Sequence, residues 1–223
     1  ITPIIGADLN LMNNMLNIGI KYEFMTKMEV TNSTSKDITV GYTSTGTPVT
    51  QFPDGKEIPN DMPALLSVGA ALNVPKLTLS AGYHQYFDKP ARYGKTDATG
   101  TYIDNSSLIS SNNNEIAFGV EYDVNPLFLA SAGYLHATTG VKHIFQSDLS
   151  PSMSSNSGAI GGALKFTKLL TINLGVLYTK YTDCDKEIVH YVGGSTASPV
   201  NVTETYSKDN MIIAVGVDIN LSK

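Results

Sequence analysis

Ser80, His84 and Tyr86 fall within the short segment Leu79-Ser80-Ala81-Gly82-Tyr83-His84-Gln85-Tyr86. A hydroxyl, an imidazole and a phenol are the parts of nucleophilic and acid–base chemistry, and a barrel enzyme of lipase type would be built on Ser80 and His84. The sequence holds no nucleophile elbow and no Gly-rich phosphate loop, and its Ser, His and Asp residues combine only as composition. No enzyme is expected. His84, His136, His143 and His190 are not at metal-ligand spacing, and Cys184 stands in a predicted loop, so neither a metal ion nor another cofactor is expected. Binding chemistry remains. Lys21 or His84 is able to meet a carboxylate, while Leu135 and Leu177 offer apolar contacts.

A repeat positions these residues. Five times a glycine opens six residues in which apolar side chains alternate with small or polar ones: Gly6–Leu11, Gly69–Val74, Gly119–Val124, Gly161–Phe166 and Gly216–Leu221. In a strand this puts Ala70, Leu72 and Val74 on one face and Gly69, Ala71 and Asn73 on the other. Each copy leads toward brief turns marked by Asn13-Asn14, Val74-Pro75-Lys76, Asn125-Pro126 and Thr167-Lys168, after which alternation resumes in a partner strand. Leu77, Leu79, Ala81 and Tyr83 then share a face, as do Ile172, Leu174, Val176 and Tyr178. The hairpin is the repeating unit.

If Tyr83 and Val176 face outward, then Ser80, Gly82, His84 and Tyr86 face inward, with Gly133, Leu135, Gly175, Leu177, Thr179 and Tyr181. Lys21, Ser80, His84, Tyr86, Leu135, Leu177, Thr179 and Tyr181 are thus the candidate ligand-contacting residues, with Leu135 and Leu177 expected at matching heights. Glu121, Asp123, Lys165 and Asp218 also point inward near the turn end, where mutual pairing is the expected role.

The remaining connections, roughly 30–62, 88–112, 140–157 and 183–205, are long and rich in Ser, Thr, Asn, Gly and Asp. Short turns and long loops alternate strictly, as in an up-and-down barrel whose turns are periplasmic and whose loops are extracellular. The strand ending at Leu221 then runs downward, and the C-terminus is expected to be periplasmic. Strands of roughly 9–11 residues match a tilted crossing of a bilayer. Aromatics gather at both ends of the apolar face, with Tyr22, Phe24, Tyr83, Phe87 and Tyr178 toward the loops and Tyr122 and Phe166 toward the turns.

Composition agrees. Charged residues make up 16%, tyrosine (12) exceeds phenylalanine (7), tryptophan is absent and mean hydropathy is -0.04. No apolar run is long enough for a transmembrane helix. A net charge of -5 without Lys/Arg clusters excludes a nucleic-acid partner. The single cysteine rules out an internal disulfide and leaves the compartment open. The reading is one domain over 1–223, an all-β transmembrane antiparallel barrel with about nine strands. The odd count points either to a further strand within Ile38 to Phe52 or to a larger barrel of which this chain is part, because an open edge in lipid leaves backbone groups unsatisfied.

The stretches Asp61-Met62-Pro63-Ala64-Leu65-Leu66-Ser67-Val68-Gly69 and Leu79-Ser80-Ala81-Gly82-Tyr83-His84-Gln85-Tyr86-Phe87-Asp88-Lys89 resemble the FadL-type outer-membrane transporters of hydrophobic compounds, most closely their Bacteroidetes branch. Gly119–Asn125 and the closing Ile213–Asp218 extend the resemblance. It implies a fourteen-stranded barrel plugged by an N-terminal hatch, with this chain as its C-terminal part, located in the bacterial outer membrane. It also implies passive uptake of long-chain fatty acids or other hydrophobic small molecules. Outer-membrane lipid and the N-terminal part of the barrel, or another outer-membrane subunit, are the further partners expected. Two alternatives come from other classes: a FadL-type barrel serving as a structural or docking subunit, and a soluble all-β binding domain. The chain departs from the common barrel pattern in ending Asn220-Leu221-Ser222-Lys223 rather than on an aromatic residue.

Overall fold

The structure, a computed structural model, describes residues 1–50, 53–93, 105–146, 151–167, 169–191 and 199–220. In chain order its strands are β1 (Ile4–Leu11), β2 (Leu16–Glu23), β3 (Glu29–Thr31), β4 (Thr39–Tyr42), β5 (Pro48–Thr50), β6 (Glu57–Pro59), β7 (Ala64–Val74) and β8 (Leu77–Phe87). They continue with β9 (Asn113–Asn125), β10 (Phe128–Thr138), β11 (Ser155–Lys165), β12 (Leu170–Tyr181), β13 (Cys184–Tyr191), β14 (Pro199–Tyr206) and β15 (Asp209–Ile219). A one-turn helix, α1 (Asn105–Leu108), precedes β9, and a 3-10 turn spans His143–Phe145.

Nine strands make one antiparallel sheet in the order β1-β2-β7-β8-β9-β10-β11-β12-β15. The segment expected to hold a tenth crossing forms β4 and β5, which pair with each other and not with the large sheet. Two further loop hairpins, β3-β6 and β13-β14, occupy stretches read from sequence as loop, and β11 begins two residues before the predicted end of its loop.

Local chemistry explains the short reversals. Met12, Asn13 and Asn14 all adopt positive φ (53, 54 and 65°), a conformation that asparagine tolerates best among non-glycine residues. Pro75 is followed by Lys76 at φ 68°, the proline-then-left-handed pattern of a type II turn. Asn125 Oδ1 accepts from the backbone N–H of Leu127 and Phe128, both at 2.9 Å. Thr167 Oγ1 does the same for Leu169 and Leu170 at 3.1 Å. Lys168 and Leu221 lie outside the described residues.

Cross-strand partners share a face, so the register assigns every side chain. One inward row runs Gly6, Lys21, Ser67, His84, Glu115, Ala137, Ser155 and Tyr181 across eight strands. The outward face is aliphatic and uncovered: Ile160, Leu174, Ile213 and Val215 are 69%, 59%, 68% and 69% exposed. A soluble sandwich buries that face against a second sheet; the further sheets among the described residues are two-stranded loop hairpins, and these outward side chains stay exposed. Toward the loops the outward face turns polar at His136, Asn156, Lys180 and Asp209. Just below that boundary Tyr134 donates to Asn156 Oδ1 (2.6 Å) and Tyr178 to Asp209 Oδ2 (3.0 Å). Apolar body and wet tip is how interfacial tyrosines anchor. In β12 the apolar stretch from Leu170 to Tyr178 crosses about 20 Å at ~3.3 Å per residue and ~40° tilt, near the height of an outer-membrane apolar band.

The fully buried apolar residues among those described sit mainly under the loops: Ala64, Ala91, Leu108, Ile109 and Met153. There the first two long loops are joined through Asp61. Its carboxylate accepts from Arg92 Nε (2.8 Å) and Nη2 (3.0 Å) and from the backbone N–H of Met28 (3.0 Å) and Arg92 (3.1 Å). Chiefly through Arg92, and against the opposing cost of burial, these bonds hold the carboxyl down at about 2. A folded value below the ordinary 3.8 contributes stability that is complete above 3.8 and is lost as pH falls through about 2. Asp61→Asn is therefore expected to make the first two loops protease-sensitive at neutral pH, as acid does to the unaltered chain. Limited proteolysis across pH reads both.

Candidate functional site

The inward face of the sheet carries all eight candidate residues, but in two groups. On β2, β7, β8 and β9 the group is polar. Lys21 Nζ lies 2.7 Å from Glu23 Oε1, His84 Nδ1 lies 3.9 Å from Glu115 Oε2, and Tyr86 donates to the same Glu115 oxygen at 3.4 Å. Between Lys21 and His84 sits Ser67, whose hydroxyl oxygen is buried without a hydrogen-bond partner among the described residues. Ser80 lies two inward rows nearer the turns than His84. Four positions along a strand separate the two side chains by about 13 Å, so the pair is not a nucleophile and its base. Ser80 instead covers Gly119, where a Cβ would meet its Oγ at 2.6 Å.

On β10, β11, β12 and β15 the group is apolar with hydroxyls. Leu177 shares a row with Ala159 and Ile212; Leu135 shares the next with Ala117, Ser157, Thr179 and Asn210. Leu135 therefore stands one inward row nearer the loops than Leu177, where the sequence suggests equal height. The difference comes from pairing register, which neither strand states alone. Ser157 and Thr179 are hydrogen-bonded to each other at 2.8 Å and are 6% and 7% exposed. Above them, the Tyr181 hydroxyl accepts from Asn210 Nδ2 at 3.5 Å, and Lys208 Nζ stands 4.9 Å from the ring centroid.

Below this group the wall is hollowed into a trough of about 770 Å³. Gly119, Gly133, Gly161, Gly175 and Gly216 help floor it, Leu177 and Ile212 border it toward the loops, Asn173 borders it toward the turns, and Glu121 stands in the same inward row as Gly161 and Gly175. Near the turns, Lys165 pairs with Asp123 at 3.2 Å, while Asp218 accepts from Asn173 Nδ2 at 2.6 Å rather than from another of the four inward charged groups. Ile212, Ser157, Ser67 and Glu115 were not among the candidates. Strand parity from Gly216 reaches Ile212 four residues earlier, so its inward position was legible.

Among the described residues no group of three or more His, Cys, Asp or Glu side chains could hold a metal ion. Cys184 begins β13 and lies 3.8 Å from His143 Nδ1, and His136 faces outward against Asn156 at 2.8 Å. The side chain of His190 lies outside the described set.

No family model matches the sequence. Over 165 residues the chain is 25% identical to outer membrane protein P1 of Haemophilus influenzae, covering 68% of this chain and 36% of that protein. It also superposes on the crystal structure of a Pseudomonas aeruginosa FadL homologue with a TM-score of 0.66, over 98% of this chain and 52% of the homologue, at 12% identity. The fold is that of a FadL-type barrel wall. The P. putida toluene transporter TodX aligns over 99% of the chain and 49% of its own, with a TM-score of 0.55 and 14% identity. The chain spans about a third of the curated relative's length and about half of each of these structures. Among the described residues β1 and β15 each present one unpaired edge, and β1 is exposed along its whole length.

Proposed function

We propose that this chain forms a large part of the wall of an outer-membrane barrel through which hydrophobic small molecules, long-chain fatty acids among the family's expected substrates, pass without energy input. The inward trough is the surface they contact. The observation that carries this reading is the division of one sheet into two faces. The outward face is aliphatic, uncovered and bounded by tyrosines. The inward face holds most of the sheet's charged groups, with Leu177 and Ile212 bordering the glycine-floored trough and Leu135 one row nearer the loops. Apolar walls with a few polar groups suit a hydrophobic ligand. The names of the relatives support the same membrane and cargo. The unpaired edges of β1 and β15 require further strands in a bilayer, since each unsatisfied backbone group there costs several kcal/mol. In this reading the loops are extracellular, the turns and the end of β15 are periplasmic, and Lys21, Ser80, His84, Tyr86, Thr179 and Tyr181 guide the polar end of the cargo.

Two measurements test it on cells making the barrel that contains this chain. The protein should fractionate with the outer membrane and migrate faster on a detergent gel unheated than boiled. Those cells should also take up a labelled hydrophobic compound faster than cells lacking it. Heat-insensitive migration would reject the barrel; equal uptake would reject the channel.

A further inference from the structure

The inward wall carries more acid than base. Asp8, Glu23, Glu115, Glu121, Asp123 and Asp218 all face inward. The inward ammonium groups among the described strand residues are Lys21 and Lys165, and each is already engaged by a carboxylate, at 2.7 Å from Glu23 and 3.2 Å from Asp123. Lys208, at the loop rim, is held over the Tyr181 ring rather than beside the trough. The polar neighbours of Leu135 and Leu177 are the hydroxyls of Ser157 and Thr179, which are uncharged and bonded to each other. Glu121 lines the trough in the same inward row as Gly161, Gly175 and Ala214. In the closed barrel of the channel reading, a carboxylate entering here would meet no unengaged ammonium group among the described strand residues and would face like charge, which a lumen lined by one sign of charge focuses at low salt. An uncharged molecule meets the same apolar surface, hydroxyls and amide without that like-charge repulsion.

We infer that the trough selects uncharged hydrophobic molecules over carboxylates of the same chain length, and that Glu121 is the residue setting this preference. The inference rests on the channel reading above and narrows its substrate class. Decanol and decanoate make the comparison directly. Each displaces N-phenyl-1-naphthylamine from the purified, detergent-solubilised barrel containing this chain, in low salt at neutral pH, with each compound's partition into protein-free micelles subtracted. Decanol should displace the dye at about a tenfold lower concentration than decanoate. Glu121→Lys should close most of that gap and Glu121→Gln part of it. Added salt should narrow the gap in the unaltered protein, so the test survives even if a variant fails to fold. Decanoate displacing as well as decanol, or a gap untouched by salt, would overturn the inference alone. Failure of the barrel to bind dye, alcohol or acid would overturn the channel reading with it.

Discussion

Gly175→Leu is expected to reduce uptake of a hydrophobic probe about tenfold while making the barrel more stable to heat. A Cβ at Gly175 meets nothing nearer than Ile160 O at 3.8 Å, so the backbone has room for a side chain. Its row neighbours, Gly161 and Ala214, are small, and the added isobutyl group fills the trough they border. Glycine inside a strand costs roughly 0.5–1 kcal/mol relative to residues with a side chain, and that cost is removed. Stability and function thus move in opposite directions, which a merely structural glycine would not produce. Gly158→Leu is the control. Gly158 also has open space around its Cβ position, but it faces outward between Tyr134 and Tyr178. Its leucine would extend the aliphatic face and leave uptake unchanged. Equal loss from both substitutions would remove the trough from the transport path.

Gly140→Ala should unfasten the second and third long loops. Gly140 is buried where they cross, and a Cβ there would sit 1.7 Å from Ser111 O and 2.4 Å from Ser111 C. Both are backbone atoms, so no rotamer change relieves the overlap. The two segments must separate. Separation breaks the bonds from Ser110 N (2.7 Å) and Ser110 Oγ (2.8 Å) to Gly140 O and from Gly140 N to Asn113 Oδ1 (3.0 Å). It also uncovers Leu108 and Ile109, now 3% and 2% exposed. The local loss is on the order of 3 kcal/mol. Trypsin should then cut after Arg92 and Lys142 in intact outer membranes, while heat-modifiable migration persists because the junction meets the nine-stranded sheet at Asn113, the loop-side end of β9, and leaves its pairing ladders intact. Unchanged resistance to trypsin would show that the loops are held elsewhere.

The sheet was legible in the sequence because its strands are long and its two faces meet opposite demands. Period-two alternation from Leu77 to Phe87 or Leu170 to Tyr181 has no helical alternative, and Asn125 and Thr167 write their turns in side chains that bond the local backbone. The loop hairpins were not legible. Residues such as Thr39–Tyr42 and Pro199–Tyr206 carry no alternation tied to a buried face, and their order depends on contacts distant in sequence. Asp61 and Arg92, 31 residues apart, are one such contact. The site divides in the same way. Parity alone assigns Lys21, His84, Leu177 and Thr179 to the inward face, and even the Lys21–Glu23 pair follows from positions two apart on a strand. That Ser157 would meet Thr179, or that Gly161, Gly175 and Ala214 would align into one hollow, depends on register between strands, which is fixed only when the sheet assembles.

The two-faced wall is tested most directly by nitroxide labels at four adjacent sites in β12. With Cys184 replaced by serine, single cysteines at Leu174, Gly175, Val176 and Leu177 are spin-labelled in the barrel containing this chain, reconstituted in lipid. Collision with oxygen, which concentrates in hydrocarbon, and with a water-soluble nickel chelate is then measured. Labels at 174 and 176 should favour oxygen, and those at 175 and 177 should favour the chelate or be shielded from both. Four labels with the same accessibility, or the reverse alternation, would contradict a membrane wall with its glycine face turned to the lumen.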